Sequence, residues 1–104
     1  MILTTMESIP GREVKEIIGI ASTGTVRTRH MGSDFAAGLK SMVGGRLSGY
    51  EKLMQEGRDE ALERLKVVAA KHGADAVMNV RLQSAEIMQG ASEVMAYGTA
   101  VKLK

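Results

Sequence analysis

Between Ser48 and Gly73 the sequence writes a helix with both ends marked. Ser48-Gly49-Tyr50-Glu51 is a capping box, in which hydroxyl and carboxylate each bind the other residue's amide. Gly73 suits the left-handed cap that ends a helix. Between them Tyr50, Leu53, Met54, Gly57, Ala61, Leu65, Val68 and Ala69 recur at helical spacing and form one stripe. Glu60 and Arg64 stand four residues apart on the solvated side. A helix running to His72 is about 36 Å long at about 1.5 Å per residue. An amphipathic rod of that length needs an apolar surface to lie on, and the rest of the chain must supply it.

The flanking segments read as strands. Met1 to Thr5 is a short one, closed by the Pro10-Gly11 turn. From Arg12 to Thr28 β-branched residues cluster, with Val14, Ile18, Ile20 and Val26 on one parity and Ile17, Gly19, Ala21, Thr23 and Thr25 on the other. This predicts a long strand, apolar on one face and small or apolar on the second. Gly19 and Gly24 are the places for a bulge or a close backbone approach. Ser33 or Asp34 then caps a short helix with Phe35, Leu39 and Met42 or Val43 on one face, ended by Gly44-Gly45.

Beyond the long helix, Ala76 to Met88 alternates, with Met78, Val80 and Leu82 inward against Asn79, Arg81 and Gln83. A turn around Gln89-Gly90-Ala91-Ser92 leads into a strand from Glu93 to Leu103. Met95, Tyr97, Thr99, Val101 and Leu103 share one of its faces; Val94, Ala96, Gly98 and Ala100 make up the other. The expectation is one α+β domain spanning residues 1–104, with a small antiparallel sheet packed on one long helix in the order β-α-β-β.

One helix covers one face of such a sheet. Yet the first long strand and the last carry uncharged residues on both parities through most of their lengths. An antiparallel sheet with a face in water normally shows polar residues there. A second surface is therefore expected over the other face or the sheet edge, and another copy of the chain is the simplest source.

Composition removes several functions. There is no cysteine, which excludes disulfides, thiol nucleophiles, iron–sulfur clusters and thiolate metal sites. The net charge is only +2, with acids and bases interspersed and no Lys/Arg-rich run, so nucleic acid is not an expected partner. No apolar stretch reaches membrane-span length, and the N-terminus lacks the apolar core and cleavage site of a signal peptide. A cytoplasmic protein without membrane contact is expected.

Gly44-Gly45-Arg46, then Tyr50-Glu51, Arg58, Ala61 and Leu65, then Gly73-Ala74-Asp75-Ala76-Val77, and finally Tyr97-Gly98-Thr99-Ala100-Val101 occur in a distinctive order and spacing. Together with Thr23 to Val26, they resemble the YbjQ-like family of small uncharacterised bacterial and archaeal proteins, often labelled heavy-metal-binding. Asp75 stands where that family more often has Asn, and Leu47 where a Ser is usual. The resemblance implies a dodecin-like fold and a ring-shaped homopentamer. It brings no activity, cofactor or site residue with it.

Candidate sites are few. His30 and His72 have no short-range spacing, and a His in the last helical turn suits the helix dipole without a metal. No nucleophile elbow, Walker loop, H-E-x-x-H or G-x-G-x-x-G is present, and Asp59, Glu60 and Glu63 read as a solvated helix face. No catalytic activity and no cofactor are expected. Gly44, Gly45, Arg46 and Ser48 lead directly into a helix start, where free amides, the positive dipole end and a guanidinium can hold a small anion. The simpler account of the same residues is a helix stop, an ion-paired Arg and a cap.

Overall fold

The computed structural model describes residues 1–28, 48–88 and 91–104. Strand β1 is Ile2–Leu3, β2 Val14–Thr28, α1 Ser48–Lys71, β3 Ala76–Met88 and β4 Ala91–Leu103. The short helix expected around Phe35 and the Gln89-Gly90 turn lie outside the described residues. One helix packs on a four-stranded sheet of order β1-β3-β4-β2. The three long strands pair antiparallel, but β1 joins β3 in parallel, Ile2 opposite Ala76 and Leu3 opposite Val77. The sheet is therefore mixed, not antiparallel as its strand pattern suggests. A five-residue segment with three apolar residues in a row carries too little alternation to specify its partner or direction.

Helix α1 ends as its sequence foretells. Gly73 has φ +80°, and Ala74 N donates to Ala69 O at 3.1 Å while Gly73 N donates to Ala70 O at 3.0 Å. These are the paired bonds of a Schellman cap, which satisfy carbonyls the helix leaves open. Ala61, Leu65 and Ala69 are fully buried on α1, and Leu62, Met54 and Val68 flank them. They rest on Val94, Ala96 and Ala100 of β4, with Ala21 of β2 and Val77 and Val80 of β3. Small residues on both sides let the helix seat closely on the sheet. Asp75 ties the turn after α1 to β4, its Oδ2 accepting from Leu103 N at 2.8 Å.

Two bulges rearrange the faces read from parity. In β2 the register shifts between Ile17 and Gly19, where Gly19 takes φ +148°. Ile18 then turns toward the helix-side core, while Ile17 and Ile20 emerge on the helix-free face, 69% and 84% exposed. A further register shift between Val14 and Glu16 keeps Val14 on the same face as Ile20, as expected, so of that set Ile18 is the residue that leaves it. In β3 the register shifts between Met78 and Arg81, and Asn79 adopts φ 53°, a left-handed conformation that Asn tolerates better than most. Met78 consequently joins Ala76, Val101 and Leu103 in a second cluster capped by Ile9, whereas Val80 joins the helix-side core. Leu82, expected inward, is 41% exposed.

Gly98 lies opposite the β3 bulge. A Cβ there would stand 2.6 Å from Val77 Cγ1 and 2.8 Å from Met78 O. The second neighbour is backbone and cannot rotate away, so the bulged strand itself would have to shift. We expect Gly98→Ala to lose about 1–3 kcal/mol in urea unfolding, the usual scale of overpacking, and Gly98→Val to lose more. Unchanged stability of Gly98→Ala would show that the bulge does not close over this glycine.

Candidate functional site

Of the residues predicted to form an anion site, Gly44, Gly45 and Arg46 lie outside the described residues. Ser48 is the first residue of α1. His30 also lies outside them. His72 is exposed just past the end of α1, its backbone N donating to Ala69 O at 3.1 Å. Among the described residues no three His, Cys, Asp or Glu side chains come together. The helix acids behave as a solvated face: Glu60 pairs with Arg64 at 2.5 Å, Glu63 with Lys66 at 3.2 Å, and Asp59 accepts from Gln55 at 2.9 Å. Arg64 also reaches β2, donating to Gly24 O at 3.0 Å.

The distinctive surface is the helix-free face of the sheet. There β2, β4 and β3 place Ile17 opposite Val101 and Ala76, Ile20 opposite Thr99 and Met78, and Ser22 opposite Tyr97 and Arg81. The N-terminal turn covers one end of this face. Gly11 at φ +76° and the Arg12 N to Ile9 O bond of 3.0 Å fold that turn so that Ile9 packs on Met78, Val101 and Leu103. Beside it an open groove of about 330 Å³ runs between Val14, Ile17, Met78, Asn79, Thr99 and Val101. A second groove of about 380 Å³ lies on the helix side, lined by Leu3, Thr4, Thr5, Leu62, Val80, Arg81 and Leu82. Arg81 closes one wall of it, donating to Thr5 O at 3.1 Å and Val80 O at 2.9 Å. Such surfaces offer burial of apolar area to whatever meets them.

Parity reasoning missed Ile17 and Ile20 as neighbours on one exposed face. The signal that would have found them is Gly19, which the sequence marks as a place for a bulge.

The comparison with protein families is decisive about kinship. A family model, YbjQ_1, described as "Putative heavy-metal-binding", matches residues 1–104. The chain belongs to the YbjQ family. YbjQ relatives named UPF0145 protein are similar over the whole chain. The one from Psychromonas ingrahamii is 50% identical, with 100% of this chain and 99% of the relative covered. That from Thermotoga maritima is 50% identical, covering 100% and 98%. The Archaeoglobus fulgidus protein is 49% identical over 100% and 96%. A crystal structure of a DUF74-family protein of unknown function from Pediococcus pentosaceus superposes with a TM-score of 0.61 at 16% identity, covering 100% of this chain and 98% of that one. At that identity the likeness is one of fold. Among the described residues, no helix of this YbjQ member is long and apolar enough to cross a membrane.

The ligand inventory of this site generates a direct expectation. Calorimetric titration with zinc, copper or cadmium should give no stoichiometric binding with submicromolar affinity, because the sequence has no cysteine, its two histidines have no short-range spacing, and no three ligating side chains meet among the described residues. Stoichiometric heat abolished by His30→Ala and His72→Ala would overturn it.

Proposed function

We propose that this chain is a dodecin-like subunit that assembles into a homopentameric ring and serves as a cytoplasmic binding or scaffold protein without catalytic activity. The observation that carries the oligomer is the unfinished sheet. Strand β2 has 15 residues, against a common length of about 5–6. The chain's radius of gyration is 17.0 Å, where a compact domain of this length has about 13 Å. Two large apolar side chains, Ile17 and Ile20, stand 69% and 84% exposed at the middle of that strand. An elongated protomer with such a patch gains most from burying it against a copy of itself. The number five comes from the resemblance to the family. The binding role rests on what the surface offers, which is apolar grooves beside the sheet.

Size-exclusion chromatography with light scattering tests the assembly. It should give a mass about five times the 11.1 kDa protomer, and Ile20→Lys should move the mass toward the protomer. A wild-type monomer at micromolar concentration ends the proposal.

The family's description favours a second reading, a heavy-metal-binding protein. In that case ligands would have to be gathered from several copies, since one chain has two histidines and no cysteine. Elemental analysis of untagged protein separates the readings: metal at a fixed ratio to the ring supports this one. The ring reading also includes a small anionic ligand at Gly44, Gly45, Arg46 and Ser48, where the helix start recurs in every copy. Phosphate or sulfate should then raise the melting temperature of wild type, while Arg46→Ala stays assembled but loses that gain. No anion effect on wild type, or a ring broken by Arg46→Ala, removes the anion site.

A further inference from the structure

The two outer edges of the sheet are unlike, and this decides how copies can join. On the β1 side the N-terminal segment satisfies β3 only near its start. Thr4 N donates to Val77 O at 3.0 Å, Val80 N to Thr4 O at 2.9 Å and Asn79 N to Met6 O at 3.0 Å. From Arg81 to Met88 no strand lies along that edge among the described residues. On the far side, the outer edge of β2 likewise has no strand beside it among the described residues. Gly24 O is already engaged by Arg64, so the pairing considered is on the Val14–Thr23 side of it.

Resting on the ring reading above, we infer that the outer edge of β2 in one copy pairs with the 81–88 half of β3 in the next. Bare strand edges are the most association-prone part of a sheet. Like-with-like pairing, β2 on β2 about a two-fold axis, would leave the β3 edge bare in every copy. Pairing of unlike edges uses both edges of every copy, and a head-to-tail contact repeated by rotation closes into a ring.

The side chains at the two edges agree. Helix α1 lies chiefly over β2 and β4, so the sheet beside Leu82 is uncovered and forms the groove of about 380 Å³ with Leu3, Leu62 and Val80. An arriving β2 carries its own α1 to that position and closes the groove. The flank of α1 toward β1 presents Asp59, Glu63 and Lys66, the last two paired at 3.2 Å, and the flank toward β2 presents Arg64, itself paired with Glu60. Head-to-tail contact brings these two polar flanks together. It also turns the charged backs of the helices outward and the face with Ile17 and Ile20 toward the ring axis.

The cysteine-free chain makes the test clean. Ser22→Cys is combined with Gln83→Cys or with Ala85→Cys, all exposed positions on the two edges. The reduced variants are first checked by light scattering for wild-type mass. After mild oxidation, at least one pair should give a ladder of covalent species beyond dimer on a non-reducing gel, while each single variant stays monomeric there. An intact oligomer with no ladder from either pair overturns the edge assignment and leaves the ring standing. Dimers from Ser22→Cys alone overturn it too, in favour of β2 on β2. A monomeric wild type defeats the ring reading itself and this inference with it.

Discussion

The close seat of α1 on β4 sets the terms for the rest of this molecule. Ala61, Leu65 and Ala69 meet Val94, Ala96 and Ala100, with every one of them 2% exposed or less. Leu65 alone contributes about 1.5–3 kcal/mol by leaving water. Gly98 stands in the same row and admits Val77 and the β3 bulge to within contact of the β4 backbone. The bulge then sends Val80 to the helix side and Met78 to the other, so one packing choice produces two clusters from one strand. The second cluster in turn needs Ile9, which holds the N-terminal turn across one end of the helix-free face.

What that arrangement leaves over is as informative as what it buries. The helix can serve only one face, and the N-terminal turn covers only part of the other. Ile17 and Ile20 are left without cover within the protomer, on the longest strand of the sheet. A charged helix back and a sheet face that is mostly apolar around Ile17, Ile20, Met78 and Val101, with Arg81 and Glu93 farther along it, give the protomer two unlike sides. That polarity is the physical content of the oligomer proposal, and it explains why apolar grooves lie beside strand edges.

Much of this was legible in the sequence. The capping pattern and Gly73 placed α1 to within a residue, and its stripe named Ala61, Leu65 and Ala69. The two faces of β4 followed from strict alternation, which no bulge interrupts on that strand's own parity. Ile17 and Ile18 on β2 and Met78 on β3 were misassigned because a bulge adds one residue and inverts the side chains on its far side relative to the near side. Gly19 hinted at the first; Asn79, a residue that tolerates left-handed backbone, was the subtler mark of the second. The parallel pairing of β1 escaped because two residues carry almost no register information. The anion turn at Gly44, Gly45 and Arg46 stands on sequence alone.

The central claim is that other copies of the chain complete this sheet. Residue-resolved hydrogen exchange of wild-type protein at micromolar concentration tests it at the backbone. Alternate amides of β2 bond to β4 and are protected in any folded state; the intervening ones point away from it. The account predicts that these outward amides between Val14 and Thr23 exchange slowly, like their neighbours. Exchange of the outward set at free-chain rates, beside a protected inward set, would mean that β2 ends the sheet in water and would contradict it.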